Sequence, residues 1–116
     1  MWVIRSEQIK ALKEARQTKF ASNLSKHIIG DFPETIERLR LSREDLQKLV
    51  RKKIGEARKY GITTESDIET YTDCVFLVDL DFEKQDWAFR ILNDPDKKGM
   101  YKIDEINKFL LFNMGK

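Results

Sequence analysis

Eight residues near the middle of the chain constrain its fold more than any other stretch. Tyr60-Gly61-Ile62 reads as a helix stop, because Gly61 supplies the left-handed backbone such an end needs and Ile62 can fold back on the last turn. Thr64, with Asp67 three residues later, opens the next helix by offering its hydroxyl to a free backbone amide. A stop and a start this close make the two flanking helices antiparallel neighbours. Both flanks carry the apolar stripe that such a pair must bury: Leu46, Leu49, Val50, Ile54, Ala57 and Tyr60 before the turn, and Ile68, Tyr71, Thr72, Val75 and Phe76 after it.

The remaining segments also repeat at helical spacing. Residues 6–29 place Ile9, Leu12, Ala15, Phe20, Leu24 and Ile28 on one stripe, predicting a long amphipathic helix that Gly30 stops. Phe32-Pro33-Glu34 restarts a short helix over residues 33–39, with proline at its first position and an acid facing the helix dipole. Ser42 with Asp45 caps the helix that ends at Tyr60. A polar, acidic connection is expected over residues 79–86, then a fifth helix marked by Trp87, Ala88, Ile91 and Leu92 and stopped by Asn93-Asp94-Pro95. Ile103, Ile106, Phe109 and Leu110 mark a last helix over residues 103–112. No stretch alternates cleanly enough to demand a strand, and Trp2-Val3-Ile4 reads at most as a short extended arm. The expected architecture is all-α, a compact bundle of five to six helices forming one domain over residues 1–116.

Several function classes are disfavoured by what the chain contains. Seven Phe, three Tyr and two Trp in 116 residues argue for a folded core despite 36% charged residues. The longest apolar run, Cys74-Val75-Phe76-Leu77-Val78, falls far short of the roughly 20 residues that cross a bilayer, so no membrane partner is expected. Charge arrives by Arg5 without the order of a secretory signal, and the lone Cys74 sits among apolar neighbours as a buried thiol; both point to a cytoplasmic address. The only histidine, His27, lies late in the first helix, where a cation is favoured, and reads as a capping or partly buried side chain. One His and one Cys give no zinc spacing, no Cys/His dyad follows from the sequence, and no Gly-rich phosphate loop is present. The expectation is a protein that is not an enzyme and uses no cofactor.

Two patterns carry chemistry of their own. Residues 94–105 place Asp94, Asp96 and Glu105 at positions one, three and twelve of an EF-hand loop and Gly99 at position six. Lys98 at position five and Tyr101 at position eight break the pattern, so the expectation is a Pro/Gly turn without physiological calcium affinity. A calcium-dependent interaction module with a degenerate loop is one alternative. Charge is the second pattern: residues 1–62 carry a balance of +7 and residues 63–116 one of −5. Lys48, Arg51, Lys52, Lys53, Arg58 and Lys59 crowd the third helix and suggest nucleic acid, yet Glu44, Asp45 and Glu56 share it and no glycine-aromatic motif accompanies them. A solvated basic face is expected, with a nucleic-acid-binding helical module as the other alternative. The acidic run Asp79, Asp81, Glu83 and Asp86 can meet a basic partner, and together with Arg51, Lys52 and Arg58 it makes up the expected partner-binding residues.

Ile4-Arg5-x-Glu7-Gln8, Phe20, Phe32-Pro33-Glu34, Ile54-x-x-Ala57-Arg58-x-Tyr60-Gly61-Ile62 with Glu65 and Asp67-Ile68, and Trp87-Ala88 with Ile91-Leu92 span most of the chain. This set resembles small α-helical bacterial proteins encoded beside effectors of type VI secretion and related polymorphic toxin systems. The chain differs from that group at Val78-Asp79, where a glycine is usual, and at Asp86, where a proline is. The resemblance implies a non-enzymatic protein-binding domain, either an immunity protein or an adaptor or chaperone for a secreted toxin effector. Its partner would be the cognate effector or a secretion-system protein.

Overall fold

The computed structural model describes residues 6–114, which form six α-helices and no strand: α1 (Ser6–Asp31), α2 (Pro33–Leu39), α3 (Arg43–Lys59), α4 (Glu65–Leu77), α5 (Asp86–Leu92) and α6 (Gly99–Met114). A single 3-10 turn, Phe82–Lys84, lies between α4 and α5. The possible arm at Trp2-Val3-Ile4 and the Ile4-Arg5 pair fall outside the described residues. Among the described residues no helix is long and apolar enough to cross a membrane.

The turn between α3 and α4 has the form its residues predict. Gly61 adopts φ 83°, its amide donates to the Arg58 carbonyl at 3.0 Å, and the Ile62 amide reaches back to the Ala57 carbonyl at 3.0 Å. These two bonds satisfy carbonyls that the helix end would otherwise leave bare, and the Ile62 side chain is fully buried against the core. The Lys102 ammonium adds a third donor, 2.9 Å from the Tyr60 carbonyl, and complements the negative end of the α3 dipole. Ser42 and Thr64 each accept from the amide three residues on, at 3.0 and 3.2 Å, as the sequence predicts for both caps.

The core is built where α1, α3 and α4 meet. Leu24 and Ile28 of α1, Leu46, Val50 and Ala57 of α3, and Ile68, Tyr71 and Val75 of α4 are all buried. A chain of rings carries this core to the other helices. Tyr71 meets Phe82 edge-on at 5.0 Å, Phe82 lies 6.3 Å from Trp87, and Trp87 stacks on Phe109 of α6 at 4.1 Å and 8°. Such pairs add packing energy beyond the area they bury.

The structure corrects four expectations. Gly30 does not stop α1, which runs on to Asp31; Pro33 ends it instead, because proline pushes Phe32 out of the helical region, to φ −128° and ψ 46°. The amphipathic stripe of α1 is buried only in its second half. Residues 6–19 are exposed throughout, with Ile9 at 43% and Leu12 at 61%, because α1 is about 39 Å long and outruns the elements it packs on. The radius of gyration, 16.0 Å, accordingly exceeds the roughly 13 Å typical of a globule this size. The connection over residues 79–86 is not purely polar, since the 3-10 turn buries both Phe82 and Glu83. Finally, α6 begins at Gly99, four residues before its first apolar marker, Ile103.

Candidate functional site

A convergence of an imidazole and three carboxylates lies where the end of α1 crosses α4. His27 and Asp31 are one turn apart on α1, and Glu69 and Asp73 are one turn apart on α4, so each pair shares a helix face. The core contacts of Leu24 and Ile28 bring these faces together. The His27 Nε2 then sits 2.9 Å from Asp73 Oδ1, 3.3 Å from Glu69 Oε1 and 3.5 Å from Asp31 Oδ2. The imidazole and Asp73 are partly buried, while Glu69 and Asp31 form the open rim.

Electrostatics follow from that arrangement. Burial lowers the His27 pKa, but the Asp73 hydrogen bond and the charges of Asp73, Glu69 and Asp31 together outweigh it, so the net shift is upward. The Asp73 carboxyl also moves up: burial is the main cause, and the repulsion of Glu69 and Asp31 adds to it against the pull of His27. Among the described residues no lysine or arginine pairs with any of the three carboxylates, which leaves the cluster with an excess of negative charge.

A second ionic cluster is enclosed. Lys53, expected on the solvated basic face of α3, is instead 1% exposed, with its ammonium 3.0 Å from Glu56 Oε2 and 3.2 Å from Glu83 Oε1. Tyr71 donates to Glu56 Oε2 at 3.4 Å and completes the network. Burial first, then the neighbouring Glu56 and Glu83, push the Tyr71 phenol far up and the Tyr60 phenol upward in the opposite order of those two charges. Glu83 is therefore removed from the expected acidic surface; its carboxylate points inward because Phe82 anchors the 3-10 turn in the core.

The other expected partner residues remain exposed but do not converge. Arg51 and Arg58 line a groove of about 410 Å³ against Glu14, Gln17 and Thr18 of α1, and Lys52 is exposed on α3 outside that groove. Asp79 uses one carboxylate oxygen to accept from the Asp81 amide at 2.8 Å, Asp81 is exposed, and Asp86 is the exposed first residue of α5. No ion pair joins the basic and acidic sets among the described residues.

The calcium-like loop has a different use. Gly99, at loop position six, lies in the first turn of α6 with no left-handed backbone, and a Cβ there would overlap the Gly61 carbonyl and come within 2.7 Å of the Ile62 Cα. It is a packing glycine for the α3–α4 turn. The Lys97 ammonium bridges Glu105 and, at 3.9 Å, Asp94, so loop positions one and twelve are tied by a cation of the chain itself. Cys74 is buried as expected, and burial, with the nearby Asp73 charge, pushes its thiol up to about 12.

No family model, curated protein or solved structure matches this chain. The geometry of its own residues is therefore what a functional reading has to stand on. His27 was legible as a helix-end histidine, but its carboxylate neighbours were not. The available signal was a pair of i,i+4 acid spacings, His27/Asp31 and Glu69/Asp73, on two helices that the core residues press together.

Proposed function

We propose that this chain is a non-enzymatic protein-binding domain, an immunity protein or an adaptor for a secreted toxin effector, and that it engages its partner through the exposed first half of α1. The observation that carries the reading is the exposure of residues 6–19 on every face of the helix. A helical stretch of that length gains little stability by itself, so one displaying Ile9 and Leu12 to solvent is suited to gaining further packing from another molecule. Lys10, Lys13, Arg16 and Lys19 surround these apolar side chains. Arg51 and Arg58 extend the basic character along the adjoining groove.

The partner surface this chemistry fits is acidic with an apolar centre. Charge of that kind speeds encounter and sets orientation, while Ile9 and Leu12 supply the buried anchor. The resemblance to small proteins encoded beside toxin effectors supports placing that surface on an effector or a secretion-system component.

Co-expression with the product of the neighbouring gene, followed by size-exclusion chromatography at micromolar concentration, tests the reading. A stable complex is expected, and Leu12→Asp/Arg16→Glu is expected to dissolve it without changing the melting temperature, since neither side chain is packed in the bundle. Absence of a complex sinks the proposal. A salt-sensitive, submicromolar shift of DNA or RNA that depends on Arg51, Lys52 and Arg58 would instead favour a nucleic-acid-binding module.

A further inference from the structure

We infer that His27, Glu69 and Asp73, with Asp31 at the rim, form a binding site for a divalent transition ion of the zinc class. The inference is independent of the partner-binding surface on α1.

Distance is the first argument. A tetrahedral zinc ion holds nitrogen and oxygen ligands at about 2.0–2.1 Å, which sets neighbouring ligand atoms roughly 3.3 Å apart. His27 Nε2 already lies 2.9 Å from Asp73 Oδ1 and 3.3 Å from Glu69 Oε1, and ligand atoms of all three residues fall within 4.8 Å of one another. Small side-chain rotations bring that triangle to a tetrahedral face. Asp31 Oδ2 lies 3.5 Å from the same nitrogen at the rim, outside the set of three whose ligand atoms all approach one another, so the fourth position is left to water.

Charge is the second argument. Three carboxylates gather around one imidazole, and no lysine or arginine among the described residues pairs with them. A doubly charged ion offsets that excess, which a single imidazolium proton does only in part. The backbone is also in place beforehand, because the four residues occupy two helix faces already fixed by core packing, so little conformational freedom is lost on binding.

Ligand type decides the ion. An imidazole nitrogen with carboxylate oxygens suits zinc and its neighbours in the first transition row, whereas magnesium demands octahedral oxygen coordination and calcium takes six to eight oxygens. Binding requires the imidazole lone pair, so an ion entering a protonated site displaces the Nε2 proton to solvent.

The experiment exploits the presence of a single histidine in the chain. Untagged protein stripped with a chelator is titrated with zinc chloride by calorimetry, while the imidazole nitrogens are followed by ¹⁵N NMR. Expected are one ion per chain with a dissociation constant of about 10 micromolar or tighter, a shift of the Nε2 resonance that saturates at the same ratio, and a higher melting temperature. Glu69→Gln, at the exposed rim, is expected to weaken binding about tenfold or more, and His27→Gln to abolish the site; should the latter fail to fold, Glu69→Gln alone decides. Cys74→Ala should bind as the parent does. No saturable binding below about 100 micromolar, zinc binding that leaves Nε2 unmoved, unchanged affinity in Glu69→Gln, or equal binding of magnesium chloride would each overturn the assignment.

Discussion

The loop over residues 94–105 and the crossing of α1 with α4 make opposite use of acidic side chains. The loop spaces its acids as a calcium site does, yet the structure sets Lys97 between Asp94 and Glu105 and spends Gly99 on packing against the α3–α4 turn. The helix crossing has no metal-like spacing in sequence, yet it gathers Asp31, Glu69 and Asp73 around the imidazole of His27. What separates them is the source of the counter-charge. A cation carried three residues away on the same loop neutralises the first cluster locally, whereas the second is assembled by tertiary packing from two helices that bring no lysine or arginine to it. Sequence spacing thus advertises ligands, while the charge balance of the folded neighbourhood determines whether they are free to act.

The Lys53 cluster, buried at Lys53 and Glu83, supplies the reference for both, and breaking it should give the largest effect. Lys53→Met would strand Glu83, buried with few water contacts, and remove the ammonium shared with Glu56. A loss of about 3–5 kcal/mol is expected, measured by urea unfolding, because one charge of a buried pair is left uncompensated. Lys53→Met/Glu83→Met should recover more than half of that loss by replacing the pair with apolar volume. A single variant that loses under about 1 kcal/mol would mean that water reaches this cluster as freely as it reaches a surface pair, and the three clusters would then differ only in spacing.

Gly99 sharpens the comparison next. If Gly99 served a calcium loop, Gly99→Ala would affect ion binding and leave the metal-free fold largely intact. In this structure the added methyl meets backbone atoms of Gly61 and Ile62, which cannot rotate away as a side chain can. A destabilisation of about 2–3 kcal/mol is expected in chelator, as for overpacking of a tight contact. Differential scanning calorimetry with and without calcium separates the two roles, and an unchanged melting temperature in chelator would restore the loop reading.

Much of the fold was legible because it is written in local chemistry. Ser42 and Thr64 accept from the amides that their spacing selects, and Gly61 with Ile62 closes α3 through bonds that depend on those few residues alone. Legibility failed wherever a long-range neighbour decided. Gly30 is flexible enough to end a helix, but Pro33 three residues on sets the actual limit. Lys53 and Glu83 look like members of a basic and an acidic surface, and only the insertion of Phe82 beside Tyr71 turns them toward each other. The early start of α6 has the same origin, since Gly99 joins the helix in order to pack on a turn formed nearly forty residues earlier. The His27 cluster is the extreme case: both i,i+4 pairs are visible in sequence, but nothing local says that they face one another.

The smallest expected effect distinguishes an imidazolium from an ion as the cation of that cluster. In metal-free protein the folded-state pKa of His27 lies above its unfolded value of 6.5, so proton binding favours the native state. The resulting stabilisation is fully present below the unfolded pKa and is lost as pH rises through the raised folded value. Asp73 has the same sign, because burial raises its folded pKa from the ordinary carboxylate value of 3.8. Between pH 6 and pH 8.5 in chelator, the parent should therefore lose stability relative to His27→Gln, by less than about 1 kcal/mol because the rim is open to water. With zinc present the sign should reverse, since the ion requires the neutral imidazole and binds better as pH rises. Urea midpoints of parent and variant at the two pH values, each with and without zinc, provide the measurement. If the parent and His27→Gln show the same pH dependence in chelator, the carboxylates do not hold a proton on His27, and the contrast with the Lys97 loop loses its electrostatic basis.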